Sequence, residues 1–297
     1  MSKEITNKAE ATRQETRRNS MTREVVIRLM RNKSAILGLV MMVVIITLCL
    51  LAPLIAPYDY AAQDVTQKFQ SPSLAHLMGT DNLGRDIFSR ILYGGRISLF
   101  VGLSATAITV FFGTILGAIA GYYGGRTDNI IMRILDVFMA MPGLLLAIAV
   151  ASAIGAGMNA AIFSVGVGGV ANFARVVRGP IMQLKDQEYI EAAKSIDASD
   201  RRIIARHVLP NVLSPIICSL TGCVASNIIS CATLSFLGLG VQAPIPEWGA
   251  MLSQARTYIL QYGYMVMFPG LALMLLVISL NLFGDGLRDA MDPRLKD

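Results

Sequence analysis

The chain has 297 residues, 54% of them hydrophobic and 15% charged, with a mean hydropathy of +0.56; that apolar content, delivered in blocks, exceeds what soluble domains carry and points to a membrane protein. The net charge of +6 fits either nucleic acid or an anionic surface as a partner, so the position of the basic residues decides between them. There is no GxxxxGKS/T phosphate loop, HExxH, GxSxG or strand-borne GxGxxG, and both histidines, His76 and His207, fall outside the apolar blocks, which removes the usual catalytic and metal-ligating constellations.

Residues 1–20 are polar and have the composition of a disordered tail. Over 21–34, Val25, Val26, Leu29 and Met30 share one helical face beside Arg23, Arg28, Arg31 and Lys33, the pattern of a helix lying in a membrane interface. A bilayer core of about 30 Å needs about 20 apolar residues in a helix. Six stretches approach that length, at 35–57, 97–121, 129–151, 157–174, 211–233 and 265–284. The predicted fold is an all-α polytopic bundle of about six transmembrane helices. The long polar tail before the first block argues against a cleavable signal peptide. In the fourth block, Gly166, Gly168 and Gly169 fit a tightly packed interior helix. Cys49, Cys218, Cys223 and Cys231 lie in apolar runs and read as small core residues.

Of 26 Lys and Arg residues, 21 fall in 1–34, 122–133, 175–210 and 285–297, and only Lys68, Arg85, Arg90, Arg96 and Arg256 fall in the segments between. Positive charge flanking spans on one side marks the cytoplasm, so both termini are expected there and the basic residues need no nucleic acid to explain them. The organisation that follows is a cytoplasmic tail and interfacial helix (1–34), a first transmembrane helix (35–57), an extracytoplasmic segment (58–96), a transmembrane core (97–284) with a cytoplasmic loop at 185–210, and a cytoplasmic C-terminal tail (285–297). In the outer segment, Asp81, Arg85, Asp86 and Arg90 alternate in sign at spacings of four or five, which predicts ion pairs that fix it. Arg133 and Asp136 enter the third block three residues apart; a carboxylate at the bilayer centre costs about 2.5–3.5 kcal/mol, so they are expected to pair with each other or with a neighbouring helix. Met139, Met141 and Pro142 continue the same predicted helix, with Pro142 kinking it. Past Pro244 and Pro246, the apolar series Trp248, Met251, Leu252, Ala255, Tyr258, Ile259 and Tyr262 predicts a short amphipathic helix on the outer mouth of the bundle.

The cytoplasmic loop reads EYIEAAKSIDASDRRIIARHVLPN from Glu188 to Asn211. Good helix formers fill 188–195, Asp197 or Ser199 can cap a second helix near Asp200, and Pro210 is expected to break it before the fifth span. Glu191-Ala192-Ala193 followed at this distance by Leu209-Pro210 resembles the EAA loop of bacterial ABC importer permeases. Three more stretches narrow the resemblance to the C-type subunit of the dipeptide, oligopeptide and nickel permease group: HLMGTDNLGRDIFSRILYGGRISL (76–99), GYYGGRTDNIIMRILDVFMAMPGLLLAI (121–148) and LSFLGLGVQAPIPEWGAMLSQA (234–255); GDGLRDAMDPRLKD (284–297) matches in style. The family usually has Gly where this chain has Asp197; Gly there implies a turn with positive φ, which Asp tolerates better than most residues.

The resemblance implies a multi-pass permease of the bacterial plasma membrane that binds no cofactor itself and catalyses no reaction. It forms a translocation path with a homologous permease, receives a peptide from an extracytoplasmic solute-binding protein, and is driven by two ABC ATPase subunits that hydrolyse ATP. Glu191, Ala192, Ala193, Asp197, Leu209 and Pro210 would couple to the ATPases, while Asp136, Met139, Met141 and Pro142 are candidates for the path. A glutathione or nickel importer of the same family is the near alternative. A proton-coupled secondary transporter would place ionisable groups near the midplane and show inverted repeats, for which only Asp136 is a candidate.

Overall fold

In the computed structural model, residues 24–291 are described, and they are helical throughout apart from turns and one isolated bridge between Thr80 and Asp86. Residues 1–23, which include the expected tail and the start of the expected interfacial helix, and residues 292–297 lie outside the described residues. A helical stretch at 24–31 ends at Asn32, whose side-chain oxygen accepts from the N–H groups of Ser34 and Ala35 and caps α1 (Lys33–Leu50). Pro53 ends this helix short of the expected boundary, leaving one more turn at Ala52–Ile55. Next come α2 (Ile87–Tyr123), α3 (Gly125–Met139), α4 (Gly143–Ile154), α5 (Met158–Leu184) and α6 (Glu188–Ser195). A long α7 (Asp200–Phe236), a short α8 (Trp248–Ala255) and α9 (Tyr264–Met291) complete the chain.

Five of these helices are long and apolar enough to cross a membrane, and a sixth crossing requires counting α3 and α4 as one broken span. The expected kinked third helix is instead two helices bent by 84°. Pro142 has ψ 128 and stands at the N-cap of α4, and its ring disfavours helical geometry at Met141, so the helix stops rather than kinks. At 12 residues α4 is about 18 Å long, well short of a bilayer core of about 30 Å. Both α2 and α5 outrun their predicted spans. The first starts at Ile87 rather than near 97 because the Asp86 carboxylate accepts the Ser89 N–H (2.7 Å) and Ile87 and Ile91 are buried with Trp248 and Met251.

Helix α5 is the centre of the bundle, with 56% of its apolar window buried against 17% for α1. Its main neighbour is α2, along which Gly113, Gly117 and Gly121 recur every four residues on one face. A Cβ on Gly117 would sit 2.4 Å from the carbonyl oxygen of Ala174, and one on Gly113 would sit 2.9 Å from Cβ of Phe173. Farther along, Gly166 and Gly169 of α5 meet Ile108 and Thr109 of α2 equally closely, whereas a Cβ on Gly168 would meet only the Gly143 carbonyl oxygen of α4, at 4.0 Å. Membrane helices gain little from the hydrophobic effect when they associate, so such small-residue contacts, which multiply dispersion and admit interhelical hydrogen bonds, hold them together. Thr109 uses the approach to donate to the Gly166 carbonyl at 2.7 Å.

The segment between α1 and α2 folds into a cap stitched by buried polar groups. Asp81 pairs with Arg85 (2.6 Å) and with Arg90 (3.7 Å), Arg85 donates to Gln254 Oε1 (2.9 Å), and Arg90 donates to the Tyr60 carbonyl (3.0 Å). Asp86 makes no pair with Arg90. It contacts His76 Nδ1 at 2.9 Å and receives both the N–H and the hydroxyl of Ser89, while His76 Nε2 meets Gln67 Oε1 at 2.8 Å. Gln67 donates in turn to Asp64, whose carboxyl is held below the usual range by the Thr66 hydroxyl and N–H. The expected amphipathic helix is α8 followed by a turn at Arg256–Tyr258, and it is sunk into the cap: Trp248 is buried and donates Nε1–H to the Ile91 carbonyl (3.0 Å), and Glu247 accepts from Ser98 and from the N–H groups of Gly249 and Ala250. Of the cysteines, Cys49 and Cys231 are buried, and all four are free.

Two substitutions probe this arrangement. Gly117→Leu should overpack the α2–α5 contact and lower thermal stability in detergent by about 1–3 kcal/mol, with Gly222→Ala, which meets no atom within 4 Å, as a neutral control. Asp86→Ala should strand His76 and the first turn of α2, at about 1–3 kcal/mol for each buried group left unpaired, whereas Asp86→Asn retains the cap and should lose less; thermal unfolding and the yield of assembled protein report both.

Candidate functional site

Between the α3–α4 break, α5 and α7 lies a cleft of about 310 Å³. The broken pair contributes Phe138, Met139, Met141, Gly143 and Leu144; α5 contributes Gly168, Gly169 and Asn172; α7 contributes Ser226, Asn227 and Ser230. The break at Pro142 makes the space, because it turns α4 away from the line of α3. Asn227 is fixed below the surface by donating to Thr106 (3.1 Å) and Thr109 (3.4 Å). Ser226 and Asn172 are exposed on helices otherwise apolar enough to span a membrane. Polar groups facing lipid are costly, so this face belongs against protein or water.

Of the predicted path residues, Met139 and Met141 line the cleft, Pro142 creates it, and Asp136 stands one turn away at its rim. Asp136 pairs with Arg175 of α5 rather than with Arg133, because the neighbouring Leu135 packs α3 on Ala171 and Ala174 of α5. Eight residues earlier, about two turns, Asp128 makes a two-pronged pair with Arg178, both contacts at 2.5 Å. Asn172, Ser226 and Ser230 were not foreseen; the serine pair, four residues apart inside the fifth apolar block, was a readable signal.

At the other end of α5 the loop folds back on its own bundle. Ile190 and Ala193 of α6 are buried with Tyr122, Ile181, Ile203 and Val208. Tyr122 donates to Asp200 at 2.8 Å, and the Lys194 ammonium sits 5.6 Å from the centre of the Tyr122 ring. Ala193 thus faces inward, while Glu191, Ala192, Ile196 and Asp197 point outward, Ile196 being 80% exposed. Asp197 takes φ 56, the left-handed conformation its position anticipates. Around it the Asp197 N–H reaches the Lys194 carbonyl (3.0 Å) and the Ala198 N–H reaches the Ala193 carbonyl (3.2 Å), the two bonds of a Schellman stop. Ser199 occupies the N-cap of the following helix without a side-chain bond.

That helix does not break at Pro210. It widens to a π turn over Ile204–Val208, tightens at Leu209–Val212 and runs on as one 37-residue helix to Phe236. Pro210 has no N–H to donate and its ring would crowd the carbonyl four residues back; the preceding wide turn makes room, and the Asn211 side chain donates to the His207 carbonyl at 2.6 Å.

A family model described as "Binding-protein-dependent transport system inner membrane component" matches residues 113–297, and one for the N-terminal transmembrane domain of oligopeptide transport permease C matches 20–72. A dipeptide transport system permease of Alkalihalophilus pseudofirmus is 45% identical over 92% of this chain and 90% of its own. A glutathione transport system permease of Pectobacterium atrosepticum is 46% identical over 92% and 91% respectively. Among solved structures, the inward-facing MetNI methionine ABC transporter aligns over 69% of this chain and 98% of the matched chain with a TM-score of 0.56 at 18% identity, a likeness of fold.

The turn at Asp197 is open to test. Asp197→Gly should keep or slightly raise resistance of the loop to limited proteolysis, and Asp197→Val, which pays about 1–2 kcal/mol for the left-handed conformation, should make the 195–200 segment a cleavage site.

Proposed function

This chain belongs to the family of binding-protein-dependent transport system inner membrane components, and from that premise we propose that it is the C-type permease subunit of an ATP-driven peptide importer. It works with a homologous permease, two ABC ATPase subunits that hydrolyse the ATP, and an extracytoplasmic binding protein that delivers the peptide. Its own part is movement rather than chemistry. Both termini and α6 face the cytoplasm, as the placement of the basic residues implies.

The observation that carries this reading is the continuity of α7. The helix begins at Asp200, tied to Tyr122 and packed on α6, and about 39 Å further along it presents Ser226 to the cleft. A push on α6 would therefore reach the cleft along one continuous helix. The outward residues Glu191, Ala192, Ile196 and Asp197 are the surface that an ATPase would grip; Ala193, Leu209 and Pro210 serve by joining that surface to α7. A glutathione importer is the second reading, favoured by the relatives' equal identity to this chain, and glutathione shares the amide groups that any short peptide presents.

The experiment uses the whole complex in proteoliposomes. Ala192→Trp and Ile196→Asp alter the outward surface and leave the bundle alone, so each should cut peptide uptake and peptide-stimulated ATP hydrolysis about ten- to a hundredfold while the permease pair still assembles. Full uptake by both variants, with the ATPases bound, would remove the loop from the coupling path.

A further inference from the structure

Two ion pairs join α3 to α5, and they differ in setting. Asp128–Arg178 is two-pronged, with Asp128 buried, and it suffices to dock one helix on the other. Asp136–Arg175 lies a turn or two further on with side chains 52% and 45% exposed, where an ion pair adds little to stability. Its location is what sets it apart: Asp136 is three residues before Met139 and Arg175 is three residues after Asn172, so the pair forms the rim of the cleft from both sides. None of the residues lining the cleft is ionisable. Its polar groups are two amides and two hydroxyls: the Asn227 amide is engaged with Thr106 and Thr109, the Asn172 amide lacks any hydrogen-bond partner among the described residues, and the Ser230 hydroxyl is turned to the Ser226 carbonyl. An amide both donates and accepts, as a peptide main chain does, and the thioethers of Met139 and Met141 adapt to side chains of different shape.

We propose that the Asp136–Arg175 pair makes the solute path indifferent to peptide charge: each residue cancels the other at the rim of a cleft that carries no charge of its own, so that main-chain amides are recognised and side-chain charge is neither attracted nor repelled. This inference rests on the peptide-importer reading. Removing one partner leaves an exposed, uncancelled charge within a turn of the cleft lining.

The measurement is the ratio of uptake of a cationic to an anionic dipeptide of equal length in proteoliposomes holding the whole complex, with one binding protein throughout so that its own preference divides out. Arg175→Gln, which leaves the carboxylate alone, should raise the cationic-to-anionic ratio about three- to tenfold, and Asp136→Asn should lower it by a similar factor. The double variant Asp136→Asn/Arg175→Gln should return the ratio to the parental value. Asn172→Asp, which adds a carboxylate inside the cleft and keeps the rim pair intact, should move the ratio in the same direction as Arg175→Gln, and it decides the matter if a rim variant fails to assemble. An unmoved ratio, a shift of the same sign in both single variants, or a double variant that stays shifted overturns the proposal. If the parental complex imports neither dipeptide, it is the peptide-importer reading that fails.

Discussion

Everything in this bundle is hung on the close approach of α2 to α5. Inside a membrane, apolar surface against apolar surface is no better than apolar surface against lipid, so helices associate through dense packing and the few hydrogen bonds that packing permits. Gly113, Gly117 and Gly121 let the α2 backbone reach the α5 backbone near Ala174, and side chains of any size at those positions would hold the helices apart. The consequences extend to both ends. At one end the contact brings Ala118 and Tyr122 to Phe173 and Ile181, forming the surface on which Ile190 and Ala193 of the loop are buried. Near the middle it allows Thr109 to bond the Gly166 carbonyl and to receive Asn227, which sets the register of α7.

With that register fixed, the 188–199 loop and the cleft become two stations on one helix. Proline near the start of a span would ordinarily divide loop from membrane. Here a wide turn precedes it and a side-chain amide replaces the missing bond, so the helix passes through and the loop is mechanically part of the span. The opposite happens at Pro142, where no wide turn precedes and the chain bends by 84°. The same residue type yields a continuous helix in one place and an opening in another.

The cap between α1 and α2 is a different kind of construction. Asp81, Arg85, Asp86 and Arg90 are all buried, and buried charges are tolerable only when each finds its partners. The cap meets that condition within the chain, through Gln254, Tyr60, His76 and Ser89. The motif thereby serves architecture: it holds α8 and the start of α2 together.

Much of this was legible in the sequence, because much of it depends on the transfer free energy of local segments. Blocks of apolar residues placed the long helices, the Lys and Arg asymmetry proposed their orientation, and Asp at a family glycine position anticipated a left-handed turn that the backbone adopts at φ 56. The family was legible too, since motifs such as EAA with a following Leu-Pro are strings of sequence. What depended on neighbours was not. Hydropathy cannot tell a kink from a break, because either serves equally well on local grounds at Pro142; it cannot choose Arg175 over Arg133 for Asp136, because that depends on which helix Leu135 packs against. Nor can composition say which alanine of Ala192-Ala193 faces the bundle, because that follows from where Ile181 and Val208 stand. The sequence by itself settled which segments are helical and apolar, a matter of local free energy; tertiary structure alone decided which side chains meet, a matter of how closely two glycine-faced helices can approach.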